Sequence, residues 1–217
     1  MQNQQNGGHG QGAIHSSNDA IAACLAIDNQ EEIQLAQFAK DKAKDSQVKE
    51  FATMLVEEHK TCLAAINKAA PISSQLGMLK DTNTTSDRST NENAQQNRNQ
   101  TGTNTSTSNQ PNGGMNGASL DMVQLHREMA EQCLKDSKEM LSEKKDAEFD
   151  QCFIGMQLAK HAGMKSKLTV LQKHATGELK NVIADGLEKT KKHLKVAENL
   201  MKQLDENEPS DSAKKTE

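Results

Sequence analysis

Apolar residues recur along this chain in steps of three and four, the period of an α-helix with one buried face. A first stripe reads Ile21, Leu25, Asp28, Glu32, Leu35 and Ala39, and predicts a helix over residues 18–44 capped by Ser17 or Asn18. Asp45 and Ser46 break the pattern. A second stripe, Val48, Ala52, Leu55, His59, Cys62 and Ile66, then predicts a helix that begins at a Ser46 cap and ends before Pro71. So short a connection folds two helices against each other as antiparallel neighbours.

Periodicity disappears over residues 71–118, where Asn, Thr, Ser, Gln and Gly dominate. A segment with so few apolar side chains cannot offset the entropy of its own ordering, so a disordered insertion is expected there. Order resumes at Ser119 with a helix to residue 142 carrying Met122, Leu125, Met129, Cys133 and Met140 on one side. After a break at residues 144–146, with Asp146 as cap, a long helix carries Phe149, Phe153, Ile154, Leu158, His161, Met164, Leu168 and Leu171. Thr176 and Gly177 turn the chain into a last helix with Leu179, Ile183, Leu187, Thr190, Leu194, Ala197 and Met201, and His193 stands beside that stripe.

The expected fold is therefore all-α: a four-helix up-down bundle with an extra helical segment and a long insertion. Its parts are a disordered tail (1–17), a first hairpin (18–70), the insertion (71–118), a second helical half (119–204) and a charged tail (205–217). Composition agrees, because the 217 residues include no Trp, no Tyr and only three Pro. Such a palette suits helix-on-helix packing.

A net charge of −4, with Lys and Glu interspersed, describes solvated helix faces and gives no support to a nucleic-acid partner. No apolar run reaches the ~20 residues that span a bilayer, so no transmembrane segment is expected. Residues 1–12 have neither the basic nor the apolar region of an export signal, which leaves a cytosolic chain and one trimmed after export both open. The four cysteines, Cys24, Cys62, Cys133 and Cys152, lack zinc-type spacing and sit among apolar neighbours, where a free thiol acts as a small hydrophobe.

The chemistry lies in the stripes themselves. Glu32 and His59 stand about equally far from the first turn, roughly 20 Å at 1.5 Å per residue. His161 and His193 match in the same way around Thr176. All four belong near mid-bundle, where a polar side chain must be paired or bound to something. Three imidazoles and a carboxylate, with Glu58 in reserve, suit a transition metal such as zinc, copper, nickel or iron. The same groups suit a structural layer of hydrogen bonds that fixes helix register, and that is the first reading. Neither His59 nor His161 has a Glu three residues before it (Val56 and Leu158 stand there), so the di-iron pattern of ferritin-like centres is missing. No nucleophile–base pair or phosphate loop can be assembled either, and the reading leans away from an enzyme.

Residues 31–60, EEIQLAQFAKDKAKDSQVKEFATMLVEEHK, resemble the bacterial family called domain of unknown function 4142. The family's acidic residue, L-G-x-L-A-like run and V-K-x-F-A-x-x-M-V-x-D-H segment correspond to Glu32, residues 35–39 and residues 48–59. Its second helix ending in Asp-His and its closing His-Leu correspond to residues 153–161 and to His193 with Leu194. Lys160 replaces the family's Asp before the second histidine, and the insertion is longer than a typical family connection. The resemblance implies a ferritin-like bundle, a periplasmic or outer-envelope location, and no established reaction. The partner implied is an envelope component or a second copy of the chain. A structural or interaction role in the bacterial envelope is therefore the first reading of function, with metal binding and a cytosolic ferritin-like stress protein as alternatives.

Overall fold

The computed structural model describes residues 17–71, 79 and 115–207. Among the described residues there are five α-helices and no strand. They are α1 (Ser17–Lys42), α2 (Ser46–Ala69), α3 (Met115–Ser142), α4 (Asp146–His174) and α5 (Gly177–Asn207). The segments expected to be disordered lie for the most part outside the described residues. Where they are described, Ser17, residues 115–118 and residues 205–207 are helical.

The two short loops fold α1 onto α2 and α4 onto α5, and α2 also lies along α5. Asp45, one residue earlier than expected, caps α2 by accepting from the Gln47 and Val48 amides. At α4 the expected Asp146 cap is not formed. Lys145 occupies the cap position without a side-chain bond, and Asp146 is the first helical residue, at φ 46°.

The hairpins are tied at both ends. Buried Asp150, near the start of α4, accepts from the backbone amides of Lys44 (3.0 Å) and Asp45 (2.7 Å) in the α1–α2 loop. At the opposite end, Asn18 of α1 bonds the Thr176 carbonyl and receives the Thr176 amide, while Lys68 at the end of α2 reaches Glu178 at the start of α5. So α4 begins beside the end of α1 and finishes beside its start. Leu35, Val48, Leu55, Phe153 and Ile154 form the core near the first of these ends, and Leu25, Ile66, Leu179 and Ile183 form it near the other. The polar layer lies between the two clusters.

The third helix departs from the expected face. Val123, Ala130, Leu134 and Leu141 are its buried residues, whereas Met122, Leu125, Met129, Cys133 and Met140 are exposed. Its companion explains why. Alanines 22, 23, 26, 36 and 39 let α1 be approached closely on two sides, by α2 and by α3, so α1 shows little one-sidedness. The small Ala130 and branched Val123 fit against Ala23 and Ile27, and the bulkier stripe is turned outward. Leu79 is buried in the same patch and its amide donates to the Gln30 side chain at 2.8 Å.

Candidate metal centre

Each of the three histidines comes from its own helix: His59 from α2, His161 from α4 and His193 from α5. Their ring centroids lie 5.8 Å (59–161), 5.6 Å (59–193) and 5.0 Å (161–193) apart. One ring nitrogen from each lies within 4.8 Å of the others. His193, which the sequence placed beside its stripe, is only 3% exposed, and its neighbour Leu194 is the residue displaced to partial exposure. Burying Thr190, His193, Ala197 and Leu200 turns α5 slightly from the expected line.

The outer side of each ring meets an oxygen. His59 Nδ1 donates to Asn29 Oδ1 at 2.9 Å, and Asn29 is oriented for this because its own Nδ2 donates to the Leu25 carbonyl at 2.7 Å. His161 Nδ1 donates to the Gln157 carbonyl at 3.0 Å. His193 Nε2 donates to the half-buried Glu58 carboxylate at 3.1 Å. A neutral imidazole has one N–H and one lone pair. With the outer nitrogens protonated, the lone pairs of His59 Nε2, His161 Nε2 and His193 Nδ1 are directed into the layer. His59 Nε2 is sealed from solvent and has no hydrogen-bond partner.

Electrostatics keep these rings neutral. Burial pushes His59 down to about 3 despite the attraction of Glu32. Burial likewise lowers His161 and His193. Glu32 moves the other way: burial works to raise it, but Lys160 and the adjacent imidazoles together hold it below the ordinary glutamate value. Neutral imidazole and ionised carboxylate are the protonation states in which these groups bind metals.

Glu32 is 5% exposed and borders a cavity of about 160 Å³ together with His59 and His161. Lys160 Nζ spans Glu31 Oε1 (2.5 Å) and Glu32 Oε1 (3.1 Å), and leaves buried Glu32 Oε2 without a partner. Lys160 therefore does more than remove an oxygen ligand: its ammonium neutralises the acidic side of the cavity. Further along, Asp28 accepts from Lys167 (2.6 Å) and from His126 (2.8 Å). His126 thus has an inter-helix hydrogen bond. A smaller, mostly apolar cavity of about 40 Å³ borders His59 and His193 from the other side, with Leu25, Ile66, Leu168 and Ile183 in its wall.

Zinc–nitrogen bonds of about 2.0–2.1 Å in a tetrahedron space the nitrogens about 3.3 Å apart. His161 Nε2 and His193 Nδ1 are 3.0 Å apart. The third nitrogen, from His59, lies within 4.8 Å of the other two, and Glu32 lines the same cavity as His59 and His161. Glu32 is outside the group of three nitrogens, with Oε1 held by Lys160. Cys62 does not join them; its thiol, raised by burial, accepts from Lys189 at 3.7 Å.

Two contributors escaped the sequence reading. Asn29 stands three residues before Glu32, and Gln157 four before His161, spacings that put each on the same face as its neighbour. Gln157 is fully buried, and neither atom of its side-chain amide has a hydrogen-bond partner. For Asn29 a polar residue one turn from a candidate ligand was the available signal; Gln157 contributes its backbone carbonyl, which its residue type does not announce.

Residues 3–106 match the family model described as Domain of unknown function (DUF4142). The match includes Glu32, Glu58 and His59; His161 and His193 lie beyond it. No curated protein and no solved structure matches the chain.

Proposed function

From that family match and the geometry of the layer, we propose that this chain is a ferritin-like helical bundle that binds one transition-metal ion. The ligands are His59, His161, His193 and Glu32, and zinc is the ion best suited to three imidazoles and one carboxylate. One observation carries the proposal: three rings on three helices each have the outer N–H tied to an oxygen, which is how metal-bound histidines are oriented by their surroundings.

The ferritin-like reading is supported by the order of the ends. With α1 drawn upward, α2 descends, α4 descends and α5 rises, and α3 occupies the long crossover between the two hairpins. One long crossover is the connection of ferritin-like folds. A periplasmic or outer-envelope location rests on the family resemblance alone.

The second reading is a structural layer in an envelope scaffold. The 3.0 Å contact between His161 and His193 favours it, because a single shared proton would make that contact a hydrogen bond. Metal analysis of the full chain separates the two. After incubation with zinc, copper or iron and removal of excess, metal binding predicts one equivalent per chain in the wild type and none in His59→Ala or His161→Ala. Wild-type protein that stays metal-free, with an unchanged melting temperature, leaves the scaffold reading.

A further inference from the structure

The exposed face of α3 carries an interaction surface. Six large hydrophobic side chains are exposed among the described residues, and four of them, Met122, Leu125, Met129 and Met140, are on this one helix. At about 100° per residue they fall with exposed Cys133 inside a strip under a quarter of the helix circumference, about 27 Å long. The side of α3 about 100° round the helix from this strip is already engaged with α1. An apolar strip of this kind on a folded protein marks an association site.

We propose that a second copy of this chain covers it, with the two α3 helices packed antiparallel about a twofold axis at the height of residue 131. The strip is centred there, so Met122 faces the partner copy's Met140, and Met129 faces the partner copy's Cys133. The rim is complementary in the same arrangement. Glu128 and Lys135 lie on one flank, almost equally far from the centre, so each Glu128 comes beside the Lys135 of the other copy. The pairs these residues make now, Gln124–Glu128 (2.9 Å) and Lys135–Glu139 (3.9 Å), are exposed and exchange at little cost. A twofold axis repeats every contact, which is how a surface becomes complementary to itself. Residues 80–114 contain one hydrophobic residue, Ala94.

The test is the oligomeric state of the full chain in reducing buffer, by sedimentation and light scattering from micromolar to sub-millimolar concentration. Wild type is expected to dimerise, and Met129→Glu to weaken the dimer about 30-fold or more. The melting temperature of dilute, monomeric Met129→Glu should match that of dilute wild type, because this side chain is 55% exposed. A short bismaleimide should cross-link wild-type dimer through Cys133 and fail with Cys133→Ser. Three outcomes would each overturn the proposal: a wild type monomeric at every concentration, a dimer unaffected by both Met129→Glu and Leu125→Glu, or a Cys133 protected from maleimide in a monomer.

Discussion

His161 Nε2 and His193 Nδ1 face each other at 3.0 Å, and both are the nitrogens left unprotonated when the outer N–H groups keep their oxygen partners. Two lone pairs at that distance repel. The conflict ends if one ring moves its proton inward and gives up its outer bond, if one ring becomes an imidazolium, which burial opposes, or if a cation takes both lone pairs. A bound metal relieves the repulsion without breaking an outer bond. Zinc at about 100 times its dissociation constant should then stabilise the fold by about 2.7 kcal/mol, a rise in melting temperature of roughly 5–10 °C. Calorimetry should show that rise in the wild type and none in His161→Ala. A wild type whose melting temperature ignores zinc would leave the repulsion to be relieved by a proton.

Metal-free protein should lose stability on mild acidification, and the sign follows from the rings. His59 titrates near 3 in the fold and near 6.5 when unfolded, so between those values the unfolded chain binds the extra proton. Stability is complete above about pH 6.5 and falls as the pH drops below it. His59 alone should cost about 2 kcal/mol between pH 6.5 and 5, and His161 and His193 act in the same direction. Urea denaturation in a chelator, from pH 7.5 to 5, measures the slope, and His59→Gln should flatten it. This window stays above the ordinary carboxylate range, so Asp28 and Glu32 contribute little to it.

Lys160 should affect stability and metal binding in opposite directions. Its ammonium is held in the charged form: burial disfavours that charge, but Glu32 and Glu31 together outweigh burial. Lys160→Met leaves two adjacent buried carboxylates unneutralised, and should destabilise metal-free protein by about 3–5 kcal/mol. The same change releases Glu32 Oε1 and removes a competing cation, so zinc affinity should rise about tenfold or more, a gain of at least 1.4 kcal/mol. Paired denaturation and titration measurements check this. Affinity falling together with stability would show that Lys160 only holds the layer in place.

Much of this was legible in the sequence because helices and heights follow from period and rise. The stripes on α2 and α4 found His59 and His161, and distance from the turns brought Glu32 to the same level. The misjudged face of α3 has a plain cause. Both sides of that helix carry apolar residues, and periodicity cannot tell which side meets a partner element. Met122, Leu125 and Met129 are larger than Ala130 and Val123, yet the smaller residues fit against alanine-rich α1. His193 was half-legible for a related reason: one step of rotation about α5 decides between it and Leu194, and packing of the neighbouring helices sets that rotation. The outer hydrogen-bond partners Asn29 and Gln157 depended on side-chain direction, which spacing alone does not give.

Asp150 is the polar residue that joins the two hairpins. It is 1% exposed, and its carboxylate takes the backbone amides of Lys44 and Asp45, two donors that would otherwise be left in a tight loop. Asp150→Ala removes both acceptors while the amides stay, so it should cost about 2–4 kcal/mol. Asp150→Asn, which keeps one acceptor oxygen, should recover part of that. Thermal melts of both variants check the order. Equal losses would mean that charge, rather than acceptor count, holds the loop.

Asn29 touches His59 from outside the site, and its replacement separates metal binding from folding. Its Oδ1 accepts the His59 Nδ1 proton and its Nδ2 is anchored on the Leu25 carbonyl, so the amide selects the tautomer whose Nε2 lone pair is directed inward. Asn29→Leu removes that selection while filling similar volume. His59 can then carry its proton on Nε2, the nitrogen a metal needs free. Zinc affinity should fall about 10- to 100-fold, as for other residues that orient metal-bound histidines. The metal-free melting temperature should move by only a few degrees, because one partly buried hydrogen bond contributes about 1 kcal/mol. Nitrogen-15 spectra of metal-free protein supply a readout that a purely structural role would not move. They should show His59 protonated at Nδ1 in the wild type and a mixture of tautomers in Asn29→Leu. A His59 already protonated at Nε2 in the wild type would remove the inward lone pair, and with it the argument for a metal at this layer.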